Sequence, residues 1–201
     1  MIEKTICLYK FDELSDEVKE EILNRNRQIN VEHDWWEWEL SLLEPTKEDL
    51  DSIGVNEQDL DGNLFDYSEN KMYFDFERNY YLGFGDIEVN NEEAFRRLLK
   101  IPKSLWRNTY FMFDNEGARY ERNTKLYLEL DLQDEEEHKV KYLEGIADEC
   151  YDEAKDIWDD IMNRAWRILR DNYEDLMSDE AVAETIRINE YTFLEDGERW
   201  G

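Results

Sequence analysis

This chain of 201 residues has only two cysteines and two histidines, so the commonest staples and metal ligands are scarce. Cys7 and Cys150 are too far apart in sequence to form a disulfide framework. His33 and Glu37 stand four residues apart on a predicted helix, but no His-Glu-x-x-His pattern exists, so no zinc site is expected. No apolar run approaches the ~18 residues of a membrane span. The stretch Met1 to Lys10 lacks a basic region followed by an apolar run and a cleavage site, so the cytoplasm is the expected compartment. There is no Gly-x-Ser-x-Gly elbow, and no Lys–Ser/Thr pair follows Gly83 and Gly85 to make a phosphate loop. Cys7 falls in a predicted strand and Cys150 on a predicted apolar helix face, and neither position activates a thiolate. No catalytic constellation and no cofactor is expected.

Positive charge is the other shortage. Lys and Arg number 24 against 53 Asp and Glu, a formal charge of −29. Phosphate binding needs Lys and Arg, so nucleic acid and anionic membranes are excluded as expected direct partners. A basic protein surface is the natural complement, and the net charge steers such a partner in while keeping the chain soluble. The charge is uneven. Residues 1–70 carry 6 basic and 20 acidic side chains, residues 71–125 carry 10 and 9, and residues 126–201 carry 8 and 24.

What is present argues for a folded protein. Aromatic residues make up 14% of the chain, which a disordered acidic chain would lack. The patterning predicts a single α+β domain over 1–201: a small antiparallel sheet packed with several helices. Thr5 to Tyr9 reads as a strand. Ser15 caps a helix with Asp16 and Glu17 in its first turn and Val18, Ile22, Arg25 and Ile29 on one face. A second helix is predicted over 33–43, ending before Pro45, and Thr46 with Asp49 resembles a capping pair for a short helix stopped by Gly54. Met72, Phe74 and Phe76, then Tyr80, Leu82 and Phe84, alternate as strands do. Asn91 caps a predicted helix from Glu92 to Ile101, closed by Pro102. A hairpin follows, with Tyr110, Phe111 and Phe113 on one side of a turn at 114–117 and Leu126, Leu128, Leu130 and Leu132 on the other. Ser178 caps a last helix over 179–189.

The strongest pattern lies at 134–177, which contains no Pro and only one Gly, Gly145, where a kink is a candidate. Val140, Leu143, Ala147, Cys150, Ala154, Ile157, Ile161, Ala165 and Ile168 recur every three or four residues, the spacing of one long amphipathic helix. Advancing ~100° per residue puts Glu144, Asp148, Glu149, Asp152, Glu153, Asp156, Asp159 and Asp160 on one half of its circumference. Leu143, Ile146, Ala147, Cys150, Ala154, Ile157, Trp158 and Ile161 take the other half, and Lys155 is the one base in the acidic sector. Glu144, Asp148, Asp152, Asp156 and Asp160 are spaced i, i+4, and like charges at that spacing destabilise a helix by a few tenths of a kcal/mol per pair. Beyond residue 160 bases are mixed in, with Arg164, Arg167 and Arg170 among Asp171 and Glu174. Three readings compete for the unmixed stretch. A solvated surface needs no partner. Successive carboxylates ~6 Å apart along the axis imitate a row of phosphates. Divalent cations are the third reading, but they want converging oxygens and a convex helix face offers none.

Two further clusters complete the candidates. Glu57, Asp59 and Asp61 before Gly62 start like a calcium loop, but Ser68 occupies the expected bidentate Glu position, and a polar turn is the plainer reading. Trp35, Trp36 and Trp38 crowd one predicted helix and point in too many directions to share one core. Core packing accounts for most of them, while Trp35 and Trp36 are candidates for an exposed binding patch.

Both ends of the chain resemble small acidic proteins of phages and bacterial mobile elements, some of them labelled antitoxin-like. The resemblance is carried by Phe11-Asp12-Glu13-Leu14-Ser15-Asp16-Glu17-Val18-Lys19 and Asp34-Trp35-Trp36-Glu37 near the start. Near the end it is carried by Ser178-Asp179-Glu180-Ala181 through Ile186, Asn189-Glu190-Tyr191-Thr192-Phe193 and Glu195-Asp196-Gly197, and the middle is only loosely similar. The resemblance implies a mobile-element setting and supplies no catalytic residues. By analogy with acidic phage accessory proteins of the anti-restriction or anti-CRISPR kind, it implies an inhibitor that imitates nucleic acid toward a host defence protein. The alternatives are an antitoxin that docks through its tryptophans and a divalent-metal-dependent enzyme.

Overall fold

The computed structural model describes residues 6–32, 35–38, 42–56, 58, 60, 62–67, 72–76, 81–85, 87–114, 124–133 and 135–200. Its helices and small antiparallel sheets make an α+β fold. The strands are β1 (Tyr9–Lys10), β2 (Phe65–Asp66), β3 (Met72–Asp75), β4 (Tyr81–Phe84), β5 (Glu88–Val89), β6 (Thr109–Asp114), β7 (Lys125–Leu130), β8 (Thr192–Phe193) and β9 (Arg199–Trp200). The helices are α1 (Asp16–Arg25), α2 (Lys47–Ser52), α3 (Glu92–Leu98), α4 (Glu137–Leu176) and α5 (Asp179–Ile188). The chain divides into two compact units, Met1–Trp38 with Leu169–Gly201, and Glu39–Ile168.

The first unit joins the two ends of the chain. Ser15 accepts from the Val18 N–H and starts α1, and Ser178 accepts from the Ala181 N–H and starts α5, so both predicted caps are in place. Helix α1 stops at Arg25, and Ile29 reaches the core from the turns that follow. The predicted N-terminal strand is displaced: pairing begins only at Tyr9, and residues 6–8 are outside any strand. Tyr9 pairs with Phe193, and β8 also pairs with β9, giving the order β1-β8-β9. Phe11, Leu14, Ile22, Val182, Ala183, Ile186 and Phe193 form the core beneath. Polar side chains fasten its rim. Asn30 donates to the Leu176 carbonyl at 2.9 Å and accepts from the Thr185 hydroxyl at 2.7 Å. Arg187 grips both oxygens of Asp12, and this guanidinium holds the Asp12 carboxyl below its ordinary value.

The second unit is built around an aromatic box. Trp158 of α4 is fully buried, with ring centroids 5.8 Å from Phe65, 6.1 Å from Phe95 and 4.9 Å from Phe113. Its indole N–H donates to the Thr124 carbonyl at 2.7 Å. The hairpin β6–β7 runs in register from Thr109 opposite Leu130 to Asp114 opposite Lys125, which turns Leu126 inward and Tyr127 outward. Leu132 lies beyond the strand, and the predicted turn at 114–117 falls largely outside the described residues. Strand β3 pairs with β4, and β2 with β5, so the pairing is shared among several small sheets. Asn91 caps α3 as expected, but the helix ends at Leu98, and Lys100 takes a positive φ of 56° before Pro102. Of the predicted helix over 33–43, the structure has a single 3-10 turn, Trp35–Trp38, with residues 33, 34 and 39–41 outside the description.

Helix α2 shows how the second unit holds its polar groups. Thr46 and Asp49 form the predicted reciprocal cap, and Gly54 follows with φ 67°. Asp49 also accepts from Arg164 of α4 at 2.7 Å, and Arg164 donates to the Glu44 carbonyl at 3.0 Å. Burial pushes the Asp49 carboxyl up, but the hydrogen bonds from Thr46 and Arg164 outweigh it and hold the group below its ordinary value. A carboxylate whose folded value is lowered adds stability above its unfolded value of about 3.9 and loses that contribution as pH falls through the folded value. Urea unfolding between pH 5 and pH 2 is therefore expected to show a smaller acid loss for Asp49→Asn than for the wild type. Equal acid slopes would contradict this account.

Candidate functional site

Helix α4 is continuous through Gly145, because a glycine in helical conformation costs it only about 1 kcal/mol relative to Ala and breaks no hydrogen bond. Its apolar half is buried in the second unit: Leu143, Ala147, Ala154, Trp158, Ile161, Met162 and Ala165 are all under 9% exposed. This contact fixes the rotation of the helix. The opposite half faces water, with Glu144, Asp148, Glu149, Asp152, Glu153, Asp156 and Asp160 exposed and Asp159 half-buried.

Partners for these carboxylates are few. Lys100 reaches Glu153 at 2.6 Å, Lys125 lies 3.9 Å from Asp159, and Lys155 lies 3.8 Å from Asp152. Glu144, Asp148, Glu149, Asp156 and Asp160 have no ion pair among the described residues. Lys100 and Lys125 come from the near-neutral middle of the chain, and no local spacing signals these two contacts. The i, i+4 file from Glu144 to Asp160 spans roughly 24 Å at ~1.5 Å per residue. Each step of four residues overshoots a full turn by about 40°, so the file is a right-handed spiral of about 54 Å pitch. A strand of duplex DNA has the same hand and a tighter pitch of about 34 Å.

The other candidates fall elsewhere. Trp35 and Trp36 belong to the first unit and are half-buried. Their rings meet edge to face at 6.0 Å, and Trp35 also packs at 5.7 Å from Tyr173. Glu57, Asp59, Asp61 and His33 lie outside the described residues. Among the described residues, no group of three or more His, Cys, Asp or Glu is placed to hold a metal ion. Cys7 is exposed and lies outside β1, which corrects its predicted strand position. Burial pushes the Cys150 thiol up, and Glu153 and Glu149 add to the effect, so the neutral form is favoured. No helix among the described residues is long and apolar enough to cross a membrane. Comparison with protein-family models, curated proteins and solved structures returned no match.

Proposed function

We propose that the exposed half of α4 is a partner-binding face that imitates a row of phosphates and occupies the basic groove of a nucleic-acid-binding or nucleic-acid-cleaving protein. The setting that fits is the cytoplasm of a bacterial host, with the chain acting as a phage-type inhibitor of a defence protein. The reading rests on one observation: an i, i+4 file of mostly unpaired carboxylates on a helix whose rotation is locked by its buried half. Solvated helix faces gain stability by alternating charge, and this one forgoes that gain over about four turns. Glu144, Asp148, Asp152, Asp156 and Asp160 carry the contacts, flanked by Glu149, Glu153 and Asp159. The antitoxin reading has less behind it, because it needs Trp35 and Trp36 exposed, and both are half-buried, with Trp35 packed on Tyr173.

Replacing Asp152 and Asp156 together by Lys separates binding from folding. The change converts most of their like-charge contacts to favourable ones, so stability is expected to rise by about 0.5 kcal/mol. Basic proteins captured from a bacterial lysate by the wild type, and displaced from it by duplex DNA, are expected to be lost from the double variant. Capture by the wild type is also expected to weaken steeply between 50 and 200 mM salt, as charge-driven association does. Retention of the same proteins by the double variant would sink the proposal.

A further inference from the structure

A second feature, independent of the acidic face, lies among α3, β5 and β6, where a cavity of about 250 Å³ is lined by Arg96 and Arg107. Two arginines on one small cavity are unusual in a chain with this excess of acid. Arg96 is only 9% exposed. It pairs with Glu92 and donates to the Thr109 carbonyl at 2.9 Å, its guanidinium carbon lies 4.8 Å from the centre of the Phe111 ring, and its Nε has no partner among the described residues. That Nε is closed to solvent, so an anion in the cavity would meet Arg96 at its Nη groups, in competition with Glu92. Arg107 is exposed and makes no ion pair among the described residues, although Glu135 lies within electrostatic range. Glu135 is itself engaged by Lys139 at 2.5 Å and by Asn108 at 3.4 Å. Glu92, Thr109 and Tyr110 add polar groups to the wall, and Ile87, Val89, Phe111 and Phe113 make its apolar part.

We propose that this cavity binds a small organic carboxylate, with its head group between Arg96 and Arg107 and its apolar body against Ile87, Val89 and Phe113. The planar fork of a guanidinium matches a carboxylate edge to edge, and pockets for small molecules combine apolar walls with a few placed polar groups. Inorganic phosphate fits less well. It has no apolar body to cover the wall, and its second charge is repelled by Glu92 at the rim.

The full-length protein titrated with benzoate, benzamide and inorganic phosphate tests this by calorimetry and by NMR of the arginine side chains. Benzoate is expected to bind at least about tenfold tighter than either of the others, the weight of one charge-assisted contact. Arg107→Gln, at an exposed position, is expected to weaken benzoate about tenfold and leave benzamide unchanged. Glu92→Gln removes the carboxylate that competes for Arg96 and is expected to tighten benzoate severalfold. Three results would each overturn the assignment: no saturable benzoate binding, equal affinity for benzoate and either comparison compound, or benzoate affinity untouched by Arg107→Gln.

Discussion

Trp158→Ala is expected to destabilise the second unit by about 4–8 kcal/mol, a large part of the roughly 5–15 kcal/mol that holds a typical domain together. Emptying a fully buried indole site costs about 3–5 kcal/mol. A further 1–3 kcal/mol comes from the Thr124 carbonyl, which loses its donor in a buried setting. Thr124 is a junction: its hydroxyl also accepts from the Phe84 N–H at 2.7 Å, so α4, β4 and the start of β7 meet there. Trp158→Phe keeps most of the ring contacts with Phe65, Phe95 and Phe113 and gives up the donor. Its expected loss is the smaller 1–3 kcal/mol. Urea unfolding of both variants measures the difference. Similar losses for the two would mean that the hydrogen bond, and not the packed ring, dominates at this position.

Gly197→Ala is expected to cost the first unit about 2–4 kcal/mol, from two separable causes. Gly197 has φ 81°, a left-handed conformation that disfavours a Cβ by about 1–2 kcal/mol. An added Cβ would also lie 2.9 Å from Val18 Cγ1 and 3.2 Å from Ile22 Cγ1, so core side chains of α1 would have to move. The conformation is required by the tight connection between β8 and β9, where the Gly197 N–H donates to Leu194 and the Leu194 N–H to Glu198. A double variant with Val18→Ala separates the causes. It is expected to recover the part of the steric cost owed to Val18, which appears as a coupling energy in a double-mutant cycle, and to leave the Ile22 contact and the backbone part. Strict additivity of the two changes would show that the contact with Val18 is not what excludes a side chain.

Local signals were the most legible part of this chain. Ser15, Thr46, Asn91 and Ser178 all cap the helices they were expected to cap, because a cap is a short-range contract between a side chain and the next three backbone donors. The same holds for β6–β7, where period-two alternation over Leu126, Leu128 and Leu130 set the strand before any partner was known. Misplaced elements had weak local signals. Strand β1 is two residues long and exists only because Phe193, far along the chain, pairs with Tyr9. The predicted helix around Trp35 contains a 3-10 turn, and Trp35 packs there on Tyr173, a residue far along the chain that no local pattern announces. Strands β8 and β9 escaped notice for the same reason, since two-residue strands carry too little pattern to be read.

The sequence by itself determined the long helix and the segregation of carboxylates on half its surface, since an α-helix turns by a set angle per residue whatever surrounds it. Tertiary structure decided which way that helix faces and which acids remain unpaired. Burial of Trp158 orients α4, while Lys100 and Lys125 neutralise Glu153 and Asp159 from distant strands and turns. It also decided that Arg96 and Arg107 share one cavity. Such juxtapositions join residues many positions apart, and their energy depends on burial and distance, which no local spacing encodes.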